Sequence, residues 1–140
     1  MKVLGIYGSP RQGGNSDILL DVAQAVILST PIFFYNVPAQ AKALIDRTQA
    51  CWAARFLKKG RDRSRYEGGK GYLIAVGATK GQNLFQGVEL TAKYFFDAMD
   101  MSYHGGVLHR GIEGKGSVNE YPEVLEQARQ LGRDVAKGQL

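Results

Sequence analysis

The sequence contains a single cysteine, Cys51, among its 140 residues. One cysteine permits no internal disulfide, and it cannot by itself hold a zinc ion or an iron–sulfur cluster. No apolar run approaches the roughly 20 residues that a membrane-spanning helix needs. Met1-Lys2 leads directly into the first apolar run, without space for a signal peptide. These absences predict a cytoplasmic protein without a membrane segment and without a metal site built from its own residues.

The sequence also lacks the residue patterns of several common functions. Neither His104 nor His109 has a visible serine, cysteine or carboxylate partner, so we assign no catalytic side chain. The net charge of +5 is spread widely along the chain and is not accompanied by a DNA- or RNA-binding motif. We therefore expect no nucleic-acid partner.

Four apolar runs alternate with helical patterns. The runs begin at Val3, Ala25, Tyr72 and Met101, and the helical patterns cover residues 16–24, 39–56, 88–99 and 121–135. Continuous apolar strands separated by helices are typical of a parallel sheet that is covered on both faces. We therefore predict one α/β domain over residues 1–140, with a doubly wound parallel sheet in a three-layer α/β/α arrangement. The fourth run is interrupted by Gly105-Gly106, as an edge strand can be.

The helical patterns also predict which side chains enter the core. The expected core residues are Ala41, Leu44, Ile45, Thr48 and Trp52 in the second helix, Leu90, Tyr94, Phe95 and Met99 in the third, and Val124, Leu125, Ala128, Leu131 and Val135 in the last.

The most informative stretch begins with the first strand. That strand is followed by the glycine-rich turn GSPRQGGNS and by a helix with Asn15 or Ser16 as its N-cap. Such a turn binds phosphate because free N–H groups and the positive end of the helix dipole point at it. The dinucleotide spacing G-x-G-x-x-G is absent, and Gly14-Asn15 replace the Lys-Ser/Thr of a triphosphate loop. The donors that remain suit a terminal monophosphate, and they are Ser9, Arg11, Asn15 and Ser16. The alternative is a plain strand–helix turn without a ligand.

Two further loops follow predicted strands. Pro31 is expected to stop the ladder pairing of the second strand, and an aromatic run follows it at residues 32–37. The third strand ends in a small polar loop at residues 77–83. Because the carboxyl ends of parallel strands meet at one edge, both loops are candidates for a ligand crevice. The alternatives are that the aromatic run fills the core and that the second loop is a solvated tip.

The motif Gly8-Ser9-Pro10-Arg11, followed by Gly14-Asn15-Ser16, resembles the FMN phosphate loop of the flavodoxin-like NAD(P)H-dependent FMN reductases. That group includes the iron–sulfur flavoproteins and the multimeric flavodoxin-like quinone reductases. The resemblance continues over residues 29–46 and 77–87. It implies a flavodoxin-like strand order and an FMN site. The implied contacts are Ser9, Arg11, Gly14, Asn15 and Ser16 at the phosphate, Pro31, Ile32, Phe33, Phe34, Asn36 and Val37 around the ring, and Thr79, Lys80 and Gly81 on its pyrimidine side.

The resemblance further implies an oligomeric oxidoreductase, a dimer or tetramer, that passes electrons from NAD(P)H through FMN to a small-molecule or protein acceptor. One alternative is a flavodoxin-type electron carrier, although such carriers are usually acidic and this chain is basic. An iron–sulfur flavoprotein and a phosphate-binding domain without flavin are further alternatives. The basic stretch at residues 57–71 is predicted to be a surface loop, and whether it attracts the extra phosphate of NADPH stays open.

The family resemblance implies a five-stranded sheet, but the apolar runs of this sequence predict only four strands. The helix at residues 16–24 is followed by the strand at Ala25 without a turn, although such connections normally take two to six residues. In the family, an edge strand and a second helix lie in this interval, and iron–sulfur members carry a cysteine cluster there. We therefore predict that a segment is missing between Gln24 and Ala25, so the single cysteine does not exclude a cluster.

Overall fold

The computed structural model describes residues 3–6, 24–59, 66 and 69–138. The phosphate loop and residues 16–23 of the first predicted helix lie outside the described residues. In chain order the described elements are β1 (Val3–Ile6), β2 (Ala25–Pro31), α1 (Ala39–Arg47), α2 (Gln49–Lys59), β3 (Lys70–Gly77), α3 (Gln86–Ala98), β4 (Ser102–Arg110), a 3-10 helix at Ser117–Glu120, and α4 (Pro122–Lys137).

The four strands form one sheet in the order β1-β2-β3-β4, and every neighbouring pair is parallel. Ala25 stands between Val3 of β1 and Lys70 of β3, and Lys70 in turn pairs with Ser102 of β4. The strands therefore begin at a common edge and end at the opposite one. The predicted parallel α/β sheet is confirmed.

Helices cover both faces of the sheet. Alternate side chains of a strand point to opposite faces, and β2 follows this rule. Val26 and Leu28 join the larger core, which also contains Leu73, Ala75, Val88, Ala92, Phe95 and Phe96. Ala25 packs on the other face with Tyr72 and with Val135 of α4. Because α3 lies against one face and α4 against the other, the predicted three-layer arrangement is confirmed.

The end of β2 differs from the expectation that Pro31 stops the ladder. Pro31 pairs with Val76, and the next N–H group, that of Ile32, donates to the Val76 carbonyl at 3.1 Å. Successive N–H groups of a strand point to opposite sides, so the position of the missing proline donor faces away from β3. On that side the described β1 has already ended, with Ile6 opposite Leu28. The proline therefore removes no bond of this ladder.

The single helix predicted over residues 39–56 is divided in two at Thr48. The Thr48 hydroxyl donates to the Ile45 carbonyl at 2.6 Å, and the Thr48 carbonyl accepts the first bond of α2 from Trp52 at 3.0 Å. A hydroxyl that bonds to a carbonyl three residues earlier competes with the helical pattern, which explains the break. The predicted core residues Leu44, Ile45 and Thr48 are buried.

The core face of α3 was predicted only in part. Phe95 is buried as expected, but Leu90 and Tyr94 are 57% and 58% exposed, so their assignment to the core is wrong. The buried face instead carries Val88, Ala92, Phe95, Phe96 and Ala98. This helix has apolar residues on two sides, and the pattern alone does not tell which side meets the sheet.

Candidate functional site

Three loops leave the sheet at the same edge. They follow the carboxyl ends of β2, β3 and β4, and the carboxyl end of the parallel strand β1 points towards the same edge, with Ile6 opposite Leu28. In an open α/β sheet this edge is where ligands bind. The phosphate loop continues from β1, but Ser9, Arg11, Gly14, Asn15 and Ser16 lie outside the described residues, so their role remains a prediction.

The aromatic loop after β2 is a tight two-residue turn. Phe33 and Asn36 exchange two backbone hydrogen bonds, of 2.8 and 3.0 Å, and the φ angles of Phe34 and Tyr35 between them are +49° and +65°. Positive φ at both central positions defines a type I′ turn, which normally uses Asn and Gly. A non-glycine residue held in such a conformation costs on the order of 1–3 kcal/mol. Phe34 and Tyr35 are therefore strained at positions where Asn or Gly would not be.

These aromatic side chains do not fill the core. Phe34 is completely exposed, and Phe33 and Tyr35 are 58% and 53% exposed. The turn is anchored by its flank, because Val37 is buried and its N–H bonds to the Asn36 side-chain oxygen at 2.8 Å. The alternative that the whole run is core filler is wrong for these three rings. Exposed rings on a strained, anchored turn are typical of a binding surface.

The loop after β3 is held from the β4 side. The N–H groups of Gly111 and Ile112 both donate to the Gly77 carbonyl, at 2.7 and 3.2 Å. The aliphatic chain of Lys80 lies along Gly111, where an added Cβ would come within 3.2 Å of the lysine Cε. The Arg110 guanidinium donates to the Gly81 carbonyl at 3.0 Å. The loop that contains the predicted residues Thr79, Lys80 and Gly81 is thereby fixed at the edge of the sheet.

The two predicted loops meet each other through Tyr35. Its hydroxyl lies 3.6 Å from the position that a Cβ of Gly81 would take. Its carbonyl oxygen lies only 2.5 Å from the Cβ position of Gly87, so only glycine fits at this second residue of α3. The structure therefore brings residues 31–37 and 79–81 to one place, while their contact with a ligand remains a prediction.

Three residues of this site were missed by the reasoning from sequence. Tyr35 stands inside the aromatic run and was left out of the expected contacts, although its neighbours were included. Gly87 could have been recognised only by the close approach of another backbone. Arg110 ends β4, and its contact with Gly81 spans 29 residues of sequence, which no local pattern reveals.

The two histidines lie at different edges of the sheet. His104 Nε2 and Ser102 Oγ are 2.9 Å apart, so the expectation that His104 has no serine partner is wrong. This pair lies at the amino end of β4, away from the three loops. Local desolvation, with a contribution from Lys70, lowers the pKa of His104. His109 lies at the carboxyl end and packs against the ring of Tyr121, with 5.2 Å between ring centroids.

Within the described parts of the chain, no three His, Cys, Asp or Glu side chains are grouped closely enough to hold a metal ion. Cys51 is exposed on α2. None of the helices at residues 39–59, 86–98 and 122–137 is long and apolar enough to cross a membrane.

Comparison with known proteins agrees with this architecture. A family model described as "Flavodoxin-like fold" matches residues 18–131, which is most of the chain. The chain belongs to this family. The predicted resemblance to flavodoxin-like proteins and the flavodoxin-like fold are thereby confirmed. No curated protein matches the sequence significantly.

Solved structures share the fold at low sequence identity. A Trp repressor binding protein from Bacillus subtilis is 23% identical, with a TM-score of 0.62, and the match covers 94% of this chain and 98% of that one. A flavodoxin, WrbA-like protein from Agrobacterium tumefaciens is 14% identical, with a TM-score of 0.54 and coverage of 82% and 68%. A protein from P. pentosaceus described as an NADPH-quinone reductase is 16% identical, with a TM-score of 0.52 and coverage of 83% and 71%.

Proposed function

We propose that this chain is an FMN-dependent oxidoreductase that passes electrons from NAD(P)H to a quinone, a flavin or another acceptor. The observation that carries the proposal is the strained turn at residues 33–36, which exposes three aromatic rings beside the loop after β3. The turn stands at the edge of the sheet where this fold binds ligands. The name of the P. pentosaceus neighbour, an NADPH-quinone reductase, supports a quinone as one acceptor.

The chemistry of the described residues suits a flavin. The aromatic turn offers planar apolar surface to the ring, with Pro31, Ile32, Phe33, Phe34, Asn36 and Val37 in the roles that the resemblance implies. Thr79 and Lys80 are exposed on the second loop. The Lys80 ammonium can stabilise negative charge on the pyrimidine side of the ring. Ser9, Arg11, Gly14, Asn15 and Ser16 would hold the phosphate.

Bound FMN supplies the redox chemistry by accepting a hydride from NAD(P)H and giving electrons to the acceptor. The contribution of the chain is to bind the phosphate, orient the ring and leave one ring face open to the nicotinamide. We assign no side chain to proton transfer. Location in the reducing cytoplasm is part of the proposal and accords with a single exposed cysteine.

Two alternatives have the same cofactor. A flavodoxin-type carrier would accept and donate electrons through protein contacts without a substrate of its own, but the net charge of +5 is opposite to that of typical carriers. An iron–sulfur flavoprotein would need ligands outside the described residues.

The test combines binding and turnover. The purified protein should carry FMN, release it on denaturation and oxidise NADH or NADPH with a quinone. Arg11→Ala and Ser16→Ala should each weaken FMN binding, the arginine variant by roughly 1.5–3 kcal/mol. Arg129→Ala, on the exposed side of α4, is the matched control and should bind FMN as the wild type does. A wild-type chain that does not bind FMN would contradict the function, and unchanged affinity in both loop variants would contradict the phosphate assignment.

We also propose that two copies associate through α2 and α3. A groove of about 750 Å³ lies between α1, α2 and α3, with Trp52, Leu90 and Tyr94 among its lining residues. Trp52 stacks on Phe56, with 5.5 Å between centroids and 14° between planes. The exposed parts of these side chains offer on the order of 300 Å² of apolar surface. A standard interface needs roughly 450 Å² of apolar surface per partner, so Trp52, Phe56, Leu90 and Tyr94 would supply about two thirds of it.

The rim of this groove carries the ion pair of Lys42 and Asp46, so it presents both signs of charge. A copy related by a twofold axis presents the same charges in the opposite order and can match them. Sedimentation velocity should therefore give a dimer or a larger oligomer for the wild type and a monomer for Leu90→Glu. Lys93→Glu, on the same helix, is the control and should keep the wild-type state. A monomeric wild type, or an unchanged Leu90→Glu, would contradict this interface.

A further inference from the structure

The side chain of Arg110 is fastened at two points although it is exposed. Its Nη1 donates to the Gly81 carbonyl at 3.0 Å, and its guanidinium lies 5.8 Å from the centroid of the Phe85 ring. Phe85 is buried, so the ring is a fixed support for the cation. A planar guanidinium held by a ring keeps a defined direction for its hydrogen bonds. The Arg110 side chain is therefore held in one position at the end of β4 and is not a freely moving surface group.

The contact decides the orientation of one peptide group. The Gly81 carbonyl accepts from Arg110 and also from the Leu84 N–H at 3.3 Å. The peptide bonds in the described residues are trans. In a trans peptide the carbonyl and the following N–H point in opposite directions, so the Gln82 N–H points away from Arg110. Glycine has the freest backbone, so the bond from Arg110 adds to the longer turn bond from Leu84 in keeping this peptide in one orientation.

The strand order tells what lies on the other side. β3 stands between β4 and β2, so the side of its loop that faces away from β4 is the side of the aromatic turn after β2. The Tyr35 hydroxyl reaches Gly81 from that direction. No described residue accepts a hydrogen bond from the Gln82 N–H. A donor of this kind beside exposed rings suits an acceptor atom of a ligand.

We propose that Arg110 is a positioning residue for the flavin: it holds the Gly81 carbonyl so that the Gln82 N–H is presented to the acceptor atoms of the ring's pyrimidine edge. The inference rests on the proposed function and goes beyond it, because Arg110 itself contacts the loop and not the cofactor. Donors at that edge stabilise the added negative charge of the reduced flavin. Arg110 thereby affects both the affinity for FMN and its reduction potential.

The experiment compares Arg110→Ala and Arg110→Lys with the wild type, with Arg129→Ala as the control. FMN is titrated into each apoprotein, and the midpoint potential and the visible spectrum of the bound flavin are recorded. We expect about a tenfold rise in the Kd of FMN for Arg110→Ala. We also expect a lower midpoint potential and a shifted absorption band. Arg110→Lys should recover most of the affinity, because an ammonium can still donate to the Gly81 carbonyl.

Thermal unfolding of the apoproteins separates positioning from general stability. Apo Arg110→Ala should melt close to the wild type, because its bonds lie on an exposed loop. Wild-type Kd, potential and spectrum in Arg110→Ala would overturn the inference, and so would a loss of affinity matched by loss of apoprotein stability and not rescued by lysine. A wild-type chain without FMN affinity would overturn the proposed function itself, so the two failures are distinguishable.

Discussion

Arg55 crosses from α2 to the carboxyl end of α3, and we expect Arg55→Met to lower the free energy of unfolding by about 3–5 kcal/mol. The Arg55 side chain is 8% exposed. Its Nη1 donates to the Asp97 carboxylate at 2.8 Å and to the Asp97 carbonyl at 2.9 Å, and its Nε donates to Asp100 at 2.7 Å. Tyr66 adds to the cluster, because its ring lies 4.9 Å from the guanidinium and its hydroxyl donates to Asp97 at 3.1 Å.

The magnitude follows from what the substitution leaves behind. Methionine replaces the bulk of the arginine stem, so little of the loss comes from a cavity. The Asp97 carboxylate, however, stays buried after losing the charged hydrogen bonds of Arg55, and removal of one partner from a buried ion pair typically costs several kcal/mol. A domain of this size has a total stability of about 5–15 kcal/mol. The substitution should therefore remove a large fraction of it.

Urea unfolding followed by circular dichroism measures the difference, and an unchanged slope with denaturant shows that the unfolding transition is comparable. Lys42→Met is the matched control, because it removes an exposed ion pair with Asp46 on α1 and should cost less than about 0.5 kcal/mol. A loss below about 1 kcal/mol for Arg55→Met would refute the reasoning. It would mean that water replaces the arginine at no great cost and that the cluster is not buried in solution.

Four further substitutions test local geometry. Gly106→Ala should destabilise the fold by about 3 kcal/mol or more in urea unfolding, because its Cβ would lie 1.8 Å from a carbonyl oxygen of β3. Gly105→Ala meets nothing within 4 Å and should cost only roughly 1–2 kcal/mol for its positive φ. Burial, reinforced by Glu89, raises the pKa of Tyr103 to about 12 from 10.0. The folded state therefore holds this proton more tightly, so its contribution to stability is complete below pH 10 and is lost as the pH rises towards 12. Tyr103→Phe should abolish that alkaline loss, and an unchanged pH profile would contradict the assignment. Phe34→Asn should stabilise the turn by about 1 kcal/mol while weakening FMN binding, and a loss of stability would show that the turn is not strained.

The sheet was predictable because its strands are continuously apolar, and that pattern belongs to strands with both faces covered. The details that failed depend on information that a local pattern does not contain. Pro31 remains in the ladder because its missing donor faces the side where the described part of β1 has ended. Leu90 and Tyr94 were assigned to the core because α3 has apolar residues on two sides, and only the packed structure tells which side meets the sheet.

The sequence predicts which loops form the candidate site, but it does not predict the contacts between their residues. The strand ends before residues 31–37 and 77–83 are visible in the sequence, and topology alone places both loops at one edge. The type I′ turn at Phe34 and Tyr35 was not predictable, because residues with side chains of this kind disfavour positive φ. The contact of Arg110 with Gly81 is equally hidden, because it depends on where β4 ends relative to β3.

The strand order also bears on the predicted missing segment between Gln24 and Ala25. A flavodoxin-like sheet has the order 2-1-3-4-5. Without its second strand the remaining order is 1-3-4-5, which is the order of β1, β2, β3 and β4 here. The described part of the sheet therefore lacks the strand that would pair with the outer side of β1. In such an arrangement β1 is left with one row of unpaired backbone groups, which is a site for aggregation.

An intact-mass measurement of the protein from its source cells is the direct test. The 140 residues have a mass of 15.3 kDa, and a missing strand, loop and helix should add several kilodaltons. The extra residues should map between Gln24 and Ala25 in a peptide digest, and cysteines among them would supply ligands for an iron–sulfur cluster. A mass of 15.3 kDa would prove the prediction wrong. The chain would then close its crossover from β1 to β2 with the 18 residues from 7 to 24, which exceeds the minimum of about 10–12 for such a connection. Within the described residues the sheet would then keep four strands and an unpaired outer side of β1, which is a site for association with another chain.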